Sequence, residues 1–446
     1  MYPCQGLTRA FLGRINPELD QIPSVAGRLG DVTEVPDTAG PSRGPQALPA
    51  FGAAAAPGSL ESLRGRNRER VLSEVRRRGA TSRVDIVRET GLSRSTVSSL
   101  VGGLITEGLL VERPERSVAV RSSNGGGRPA TVLTLNPVTG GVVGVHFGHD
   151  SARIALADLS GQLIGERLRE LDVDHDVEAT LTFAADSARE LMAEAALGGD
   201  RLLGCGVAVS TPVHPPGTDV SGPSLLTDWR GVDIAGELRN RLGTPVLVGN
   251  DANLGAVAEW TFGAGRGVDN LIYVMVSDGL GAGLILNGHL FRGGHDTAGE
   301  FGHVVVAPNG SICRCGGRGC LETMAGGRAL VEALAHRHGG GLSLEDAVGL
   351  AAAGDAGAQR VFSDCGRAVG EALAGICSVL DPSLVIVGGK ASAVGATLLD
   401  GVRDGLRRRL PPSIIGELPV VAGQLEARAE VLGAIALVTR KAPWGA

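Results

Sequence analysis

Glu300-Phe-Gly-His303-Val-Val-Val-Ala-Pro-Asn-Gly-Ser-Ile-Cys313-Arg-Cys315-Gly-Gly-Arg-Gly-Cys320-Leu-Glu322 is the stretch from which the rest of the chain can be read. Between His303 and Cys320 it sets out one imidazole and three thiols: His303, Cys313, Cys315 and Cys320. That is the donor set of a closed, four-coordinate zinc site. Gly316, Gly317 and Gly319 permit the sharp turns that would bring three thiols around one ion. The plain alternative is free cysteines in a glycine-rich loop, which this spacing disfavours. With four protein ligands no position is left for water, so one structural zinc per chain is expected. Glu300 and Glu322 flank the cluster at spacings unsuited to zinc and need another role.

The order Ala-Gly-Glu-x-Gly-His followed by Cys-x-Cys-Gly-x-x-Gly-Cys-x-Glu resembles the signature of the ROK family (repressors, open reading frames, sugar kinases). The resemblance implies that the metal loop shapes a sugar pocket, with Glu300, His303 and Glu322 on the sugar hydroxyls. His303 would then use its other ring nitrogen on zinc. Carboxylates accept paired hydroxyl hydrogen bonds, and a metal-bound imidazole keeps a fixed orientation. Val248-Gly-Asn250-Asp251-Ala-Asn looks like the family's Asn-Asp motif. It implies Asn250 and Asp251 at the sugar, and Asp251 as general base if the chain were a kinase. Helix capping explains the same two letters.

The 446 residues leave room for two or three domains, and 43% hydrophobic with 20% charged residues describes a globular protein. Lys390 and Lys441 are the only lysines; the other basic residues are arginine. Cys4, Cys205, Cys365 and Cys377 show no pairing pattern, no apolar run is long enough to span a bilayer, and no signal layout opens the chain. A cytoplasmic protein without membrane association is expected. Residues 1–59, rich in Pro, Gly and Ala and without periodicity, read as a disordered leader.

Charge is unevenly distributed. Residues 60–135 carry fourteen Arg against eight Asp or Glu, a surplus of +6, while the whole chain is −6. A basic block on an acidic body points to a polyanionic partner. Within it, Arg66 to Arg77 reads as a helix with Val71, Leu72 and Val75 on one face, and Thr81 or Ser82 caps a second helix through Thr90. Ser93 caps a third to about Glu107, whose Val97, Leu100, Val101 and Leu104 must face a core. The opposite face opens with Arg94, Ser95, Thr96, Ser98 and Ser99, suited to a recognition helix in a major groove. Strands are expected near Leu109–Val111 and Ala130–Leu135, with the loop 112–129 as a wing. Gly126-Gly127-Arg128-Pro129 and then Leu133-Thr134-Leu135-Asn136-Pro137 resemble the join between winged helix-turn-helix and sugar-binding body in ROK regulators. Double-stranded DNA is the implied partner, read by Ser93, Arg94, Ser95, Thr96 and Ser98, with Arg128 in the adjacent minor groove. The resemblance implies a homodimer or homotetramer, and paired half-sites would demand at least a dimer.

From Gly141 a strand–turn–strand pattern (Val142–Val145, Gly148, Arg153–Asp158, Gly161, Gln162–Leu168) returns as Leu271–Val276, Gly279–Gly283, Leu284–Leu286, Gly288, His289–Phe291. Repetition predicts two related α/β lobes over residues 136–446. The resemblance implies an actin- and hexokinase-like (ribonuclease H-like) duplication with the sugar between the lobes. A final apolar helix, about Ala427 to Val438, would return to the first lobe. ROK kinases carry Asp-x-Gly-x-Thr after the first strand, where this chain has His146-Phe147-Gly148-His149-Asp150; their second phosphate turn reads here Ser277-Asp278-Gly279. Asp150 and Asp278 would face phosphate, and like charges 4 Å apart cost on the order of 4 kcal/mol. The expected function is therefore a sugar-responsive DNA-binding regulator, most naturally a repressor. An ATP-dependent sugar kinase that kept a DNA-binding head is the alternative. Ser224 stands where family members often place an Asn beside the sugar, so the resemblance does not extend to the identity of the sugar.

Overall fold

The computed structural model describes residues 60–114, 131–136, 140–214, 219–220, 227–411, 413 and 418–441. All of them fall within one compact unit, Gly52–Ala446. The leader at 1–59, Ser224 and most of the wing with Arg128 lie outside the described residues.

Helix α1 (Leu60–Arg78) begins well ahead of the expected Arg66. Leu63 and Arg64 are exposed in its first turns, so no apolar periodicity marked that start. Helix α2 (Arg83–Thr90) is capped by Ser82, whose Oγ accepts from the Asp85 amide. Thr81 is drawn away from that role because its backbone pairs with Leu133 in both directions, at 3.1 and 2.7 Å. Helix α3 (Arg94–Thr106) is capped by Ser93 and buries Val97, Leu100, Val101 and Leu104 as its periodicity requires. Strand β1 (Leu110–Pro114) pairs antiparallel with β2 (Thr131–Leu135), Leu110 opposite Leu135. Ion pairs tie the helices and ribbon together: Arg68 with Glu107, Arg83 with Glu112 at 2.7 Å and Arg78 with Glu89 at 2.9 Å. These arginines are thus engaged within the fold, and the surplus of +6 rests on the others.

The first lobe holds β3 (Gly141–Phe147), β4 (Ser151–Asp158), β5 (Leu163–Glu170), α4 (Val177–Glu194), β6 (Leu202–Val209), a short ribbon β7 (Val213–His214) and β8 (Asp219–Val220), α5 (Ile234–Leu242) and β9 (Val246–Asn250). Helix α6 (Asp251–Phe262) leads to the second lobe: β10 (Leu271–Val276), β11 (Leu280–Leu286), β12 (His289–Phe291), α7 (Glu322–Ala325), α8 (Gly327–His338), α9 (Leu344–Ala352), α10 (Ala356–Leu380), β13 (Leu384–Gly388), α11 (Ala396–Arg409) and β14 (Val420–Ala422). The sheets run β5-β4-β3-β6-β9 and β12-β11-β10-β13-β14. In each, three antiparallel strands are followed by two that join in parallel, so the duplication read from sequence is a duplication of topology.

One sequence reading needs correction. Gly279–Gly283 was expected to form a turn, but β11 already starts at Leu280. Its glycines serve close packing: a Cβ on Gly283 would lie 2.4 Å from the Ala256 methyl on α6. The turn is Ser277–Gly279, closed by a 2.9 Å bond from the Ser277 amide to the Gly279 carbonyl. The last helix, α12 (Ala429–Lys441), packs on α6 and on β3 and β6, the expected return to the first lobe. Separate apolar cores fill the lobes, around Phe147, Ile154 and Trp229 in the first and Val274, Phe362 and Val385 in the second. Among the described residues no helix is long and apolar enough to cross a membrane.

Candidate functional site

A cleft of about 460 Å³ opens between the lobes, and Asn250, Asp251, Glu300, His303 and Glu322 all line it. Asn250 ends β9 and caps α6, its Oδ1 accepting from the Asn253 amide at 3.0 Å. Its Nδ2 donates to Asp251 Oδ1 at 3.0 Å and to the Thr211 carbonyl at 3.4 Å. Capping and the contacts beside the cleft therefore use different atoms of the same amide. Asp251 is 5% exposed and accepts from Ser210 Oγ at 2.6 Å and the Ala252 amide at 2.7 Å. Burial raises its pKa above the ordinary aspartate value, against the pull of those hydrogen bonds.

Across the cleft, burial together with the charges of Asp251 and Glu322 pushes Glu300 up to about 7. Glu322 Oε2 is fixed by Arg314 at 2.9 Å and by the Leu280 amide at 3.3 Å. His303 links cleft and cluster: Nε2 lies 3.9 Å from Glu300 Oε2, and Nδ1 lies 3.7 Å from Cys313 Sγ. The ligand atoms of His303, Cys313, Cys315 and Cys320 all fall within 4.8 Å of one another, a set that could hold a metal ion. Gly316 and Gly319, at φ of 87° and 72°, make the turns that gather the thiols. Cys205, Cys365 and Cys377 are buried apart from this cluster.

His146 and Asp278 also line the cleft, and Lys390 joins Asp278 to Asp150. The two aspartates are where the sequence put them, but neither is bare. Lys390 Nζ lies 3.2 Å from Asp150 and 2.9 Å from Asp278. With Glu345 at 2.9 Å as the third partner, one ammonium faces three carboxylates, so a net negative charge still meets a phosphate there, reduced by the lysine. Burial, then the positive charge of Arg153, lowers His146 to about 3, which favours its neutral form. Sequence reasoning missed Ser210, Arg314 and Lys390 as site residues. The rarity of lysine was the one signal pointing at the last.

On α3, Arg94, Ser95, Ser98 and Ser99 are exposed and Thr96 is half-buried. Ser93 Oγ is engaged at the helix start, 3.1 Å from the Thr96 amide, so its contribution is to orient the helix. Arg64 and Asn67 of α1 line a groove with Ser95, Thr96 and Ser99, and were not singled out by sequence.

Two lobes of one topology around a cleft, preceded by a three-helix unit with a strand ribbon, define a two-lobed body carrying a helix-turn-helix head. Residues 142–441 match the ROK family and residues 71–114 the IclR helix-turn-helix domain. The chain belongs to the ROK family. It is 30% identical over 372 residues to the xylose repressor of Bacillus subtilis (strain 168), a match covering 83% of this chain and 94% of that one. Against the glucokinase of Thermotoga maritima identity is 29% over 314 residues, 67% of this chain and 98% of the relative. Among solved structures, a ROK family transcriptional regulator homologous to the E. coli MLC protein superposes with a TM-score of 0.69 at 25% identity, covering 86% of this chain and 97% of that one. A ROK family glucokinase from Streptomyces griseus, in complex with glucose and AMPPNP, gives 0.58 at 31% identity, with 67% and 99% covered.

Proposed function

We propose that the chain is a DNA-binding transcriptional regulator, a repressor of carbohydrate-utilisation genes, whose hold on DNA is set by a sugar or amino sugar in the interlobe cleft. The observation that carries this reading is the coverage: the xylose repressor aligns along 83% of the chain, head and lobes together, whereas the glucokinase aligns along 67%. Residues 60–135 form the head in this reading and residues 136–446 the body, behind a leader at 1–59. Arg94, Ser95, Thr96 and Ser98 read base edges, Ser93 orients the helix, Arg128 enters the minor groove, and Arg64 meets a phosphate. Homodimers or homotetramers present two heads to paired half-sites.

Asn250, Asp251, Glu300, His303 and Glu322 take the sugar hydroxyls; donors and acceptors in this mixture suit a polyol. Zinc is the metal this reading assigns to His303, Cys313, Cys315 and Cys320. Tetrahedral zinc with bonds of about 2.3 Å needs sulfurs about 3.8 Å apart, and Cys315 and Cys320 stand 3.6 Å apart. Bound there, zinc would hold the loop that carries His303 and Glu322 into the cleft. Phosphoryl transfer is not part of the reading, in keeping with Asp150 and Asp278 at the two turns where the kinases hold phosphate. The sugar must favour one lobe arrangement over another for the signal to reach the head.

Fluorescence anisotropy of the full chain on its own upstream DNA, with a panel of aldoses and amino sugars, tests the proposal. Tight, salt-sensitive binding altered by one sugar is expected. Binding indifferent to every sugar would remove the free-sugar effector. No binding at low salt, with Mg-ATP-dependent phosphorylation of a sugar, would return the chain to the kinases.

A further inference from the structure

Lys390 is one of two lysines in a chain that otherwise carries its positive charge on arginine. It follows β13 at the mouth of the cleft. Gly389, at φ 82°, runs so close to β10 that a Cβ there would lie 2.5 Å from the Val276 carbonyl oxygen. This approach sets Lys390 beside the turn between β10 and β11. Its Nζ lies 2.9 Å from Asp278 in that turn and 2.9 Å from Glu345 in the first turn of α9. The third partner, Asp150 at 3.2 Å, comes from the other lobe, at the turn between β3 and β4. That turn is braced: the Gly148 amide donates to the Ser151 carbonyl at 2.9 Å, and the Leu171 amide to the Asp150 carbonyl at 3.0 Å.

We propose that Lys390 is an interlobe latch, an ammonium that ties the β3–β4 turn of the first lobe to the second lobe and so sets how wide the cleft stands. An ammonium has three donors fanned in space, whereas a guanidinium directs its donors in one plane. Three carboxylates from three elements match the ammonium, which gives a reason for lysine in an arginine-rich chain. Burial works against the charge, but Asp278, Glu345 and Asp150 outweigh it and hold the lysine pKa above its ordinary value. Opening the lobes separates Lys390 from Asp150 and leaves Asp278 and Glu345 in place. Only one contact therefore changes with lobe angle. The Asp150 side chain is 58% exposed, so the latch is weak and screened by salt. A bias of about two- to fivefold between closed and open forms is expected from such a pair.

The test compares full-length wild type with Asp150→Asn and Lys390→Met, without sugar or DNA. Nitroxides on keto amino acids replacing Ile164 and Val379, which are exposed in different lobes, leave the cluster thiols untouched. Pulsed dipolar spectroscopy then reads the interlobe distance distribution. Both variants are expected to raise the population at the longer distance by about two- to fivefold. Wild type should approach them in 1 M salt, where the screening length is about 3 Å, and Asp150→Asn should ignore the salt. A distribution unchanged in Asp150→Asn overturns the latch; a change confined to Lys390→Met would make Lys390 a brace within the second lobe. Should Lys390→Met fail to fold by circular dichroism, Asp150→Asn decides alone. Because neither DNA nor sugar enters the readout, a negative result leaves the regulator reading standing.

Discussion

Glu430 sits in the first turn of α12 at 5% exposure, and burial pushes its carboxyl up to about 7 from the ordinary 4.5. A carboxyl raised in the folded state contributes stability that is full below pH 4.5 and is lost as pH rises through about 7. Glu430→Gln keeps the shape and removes the ionisation. It should melt higher than wild type at pH 8, by a margin worth about 3 kcal/mol, and show a much smaller gain at pH 5. Equal margins at the two pH values would show that Glu430 is ionised throughout. Asp251, Glu300, His303 and Glu322, which all line the cleft, could be singled out one by one because each stands in a short motif that resembles the ROK pattern. Their supports could not: Ser210 lies 41 residues before the Asp251 it contacts, and Lys390 lies 240 from Asp150. Nothing in the intervening sequence encodes such a distance except the fold.

The helix α3 shows how far an element can be read in advance. An apolar stripe at Val97, Leu100, Val101 and Leu104 and a serine cap determine its position, and both are properties of a dozen consecutive residues. Its exposed face leads to a paired prediction for operator binding. Arg94→Ala should weaken binding by about 1–3 kcal/mol and relax preference at one base position. Arg64→Ala should weaken binding to all sequences alike and reduce the salt slope by about one. Anisotropy titrations on the operator and a scrambled duplex separate the two, and a uniform loss in Arg94→Ala would take it off the base edges. Where an element was misread, as at β11, the cause was a residue with two uses. Glycine marks turns and it also marks close packing, and only the position of α6 tells which applies at Gly283.

For the molecule as a whole, the proposed function makes the loop that carries the cluster a joint between stability and ligand response. His303 belongs to the cluster through Nδ1 and to the cleft through Nε2. Cys315→Ser should therefore lose the metal and the sugar response together, by metal analysis and sugar-dependent anisotropy on the same sample. A metal-free variant with a normal sugar response would sink that coupling. By itself the sequence determined the topology repeated in two lobes, the helix-turn-helix head and the grouping of His303 with three cysteines. Each rests on patterns contained in one segment: periodicity, caps and donor spacing. Only the tertiary structure decided which nitrogen of His303 faces the cleft, which arginines of the head are tied up in ion pairs, and that one lysine binds both Asp150 and Asp278. Those outcomes depend on distances between segments far apart in the chain, and such distances come into being only when the sheets and helices pack.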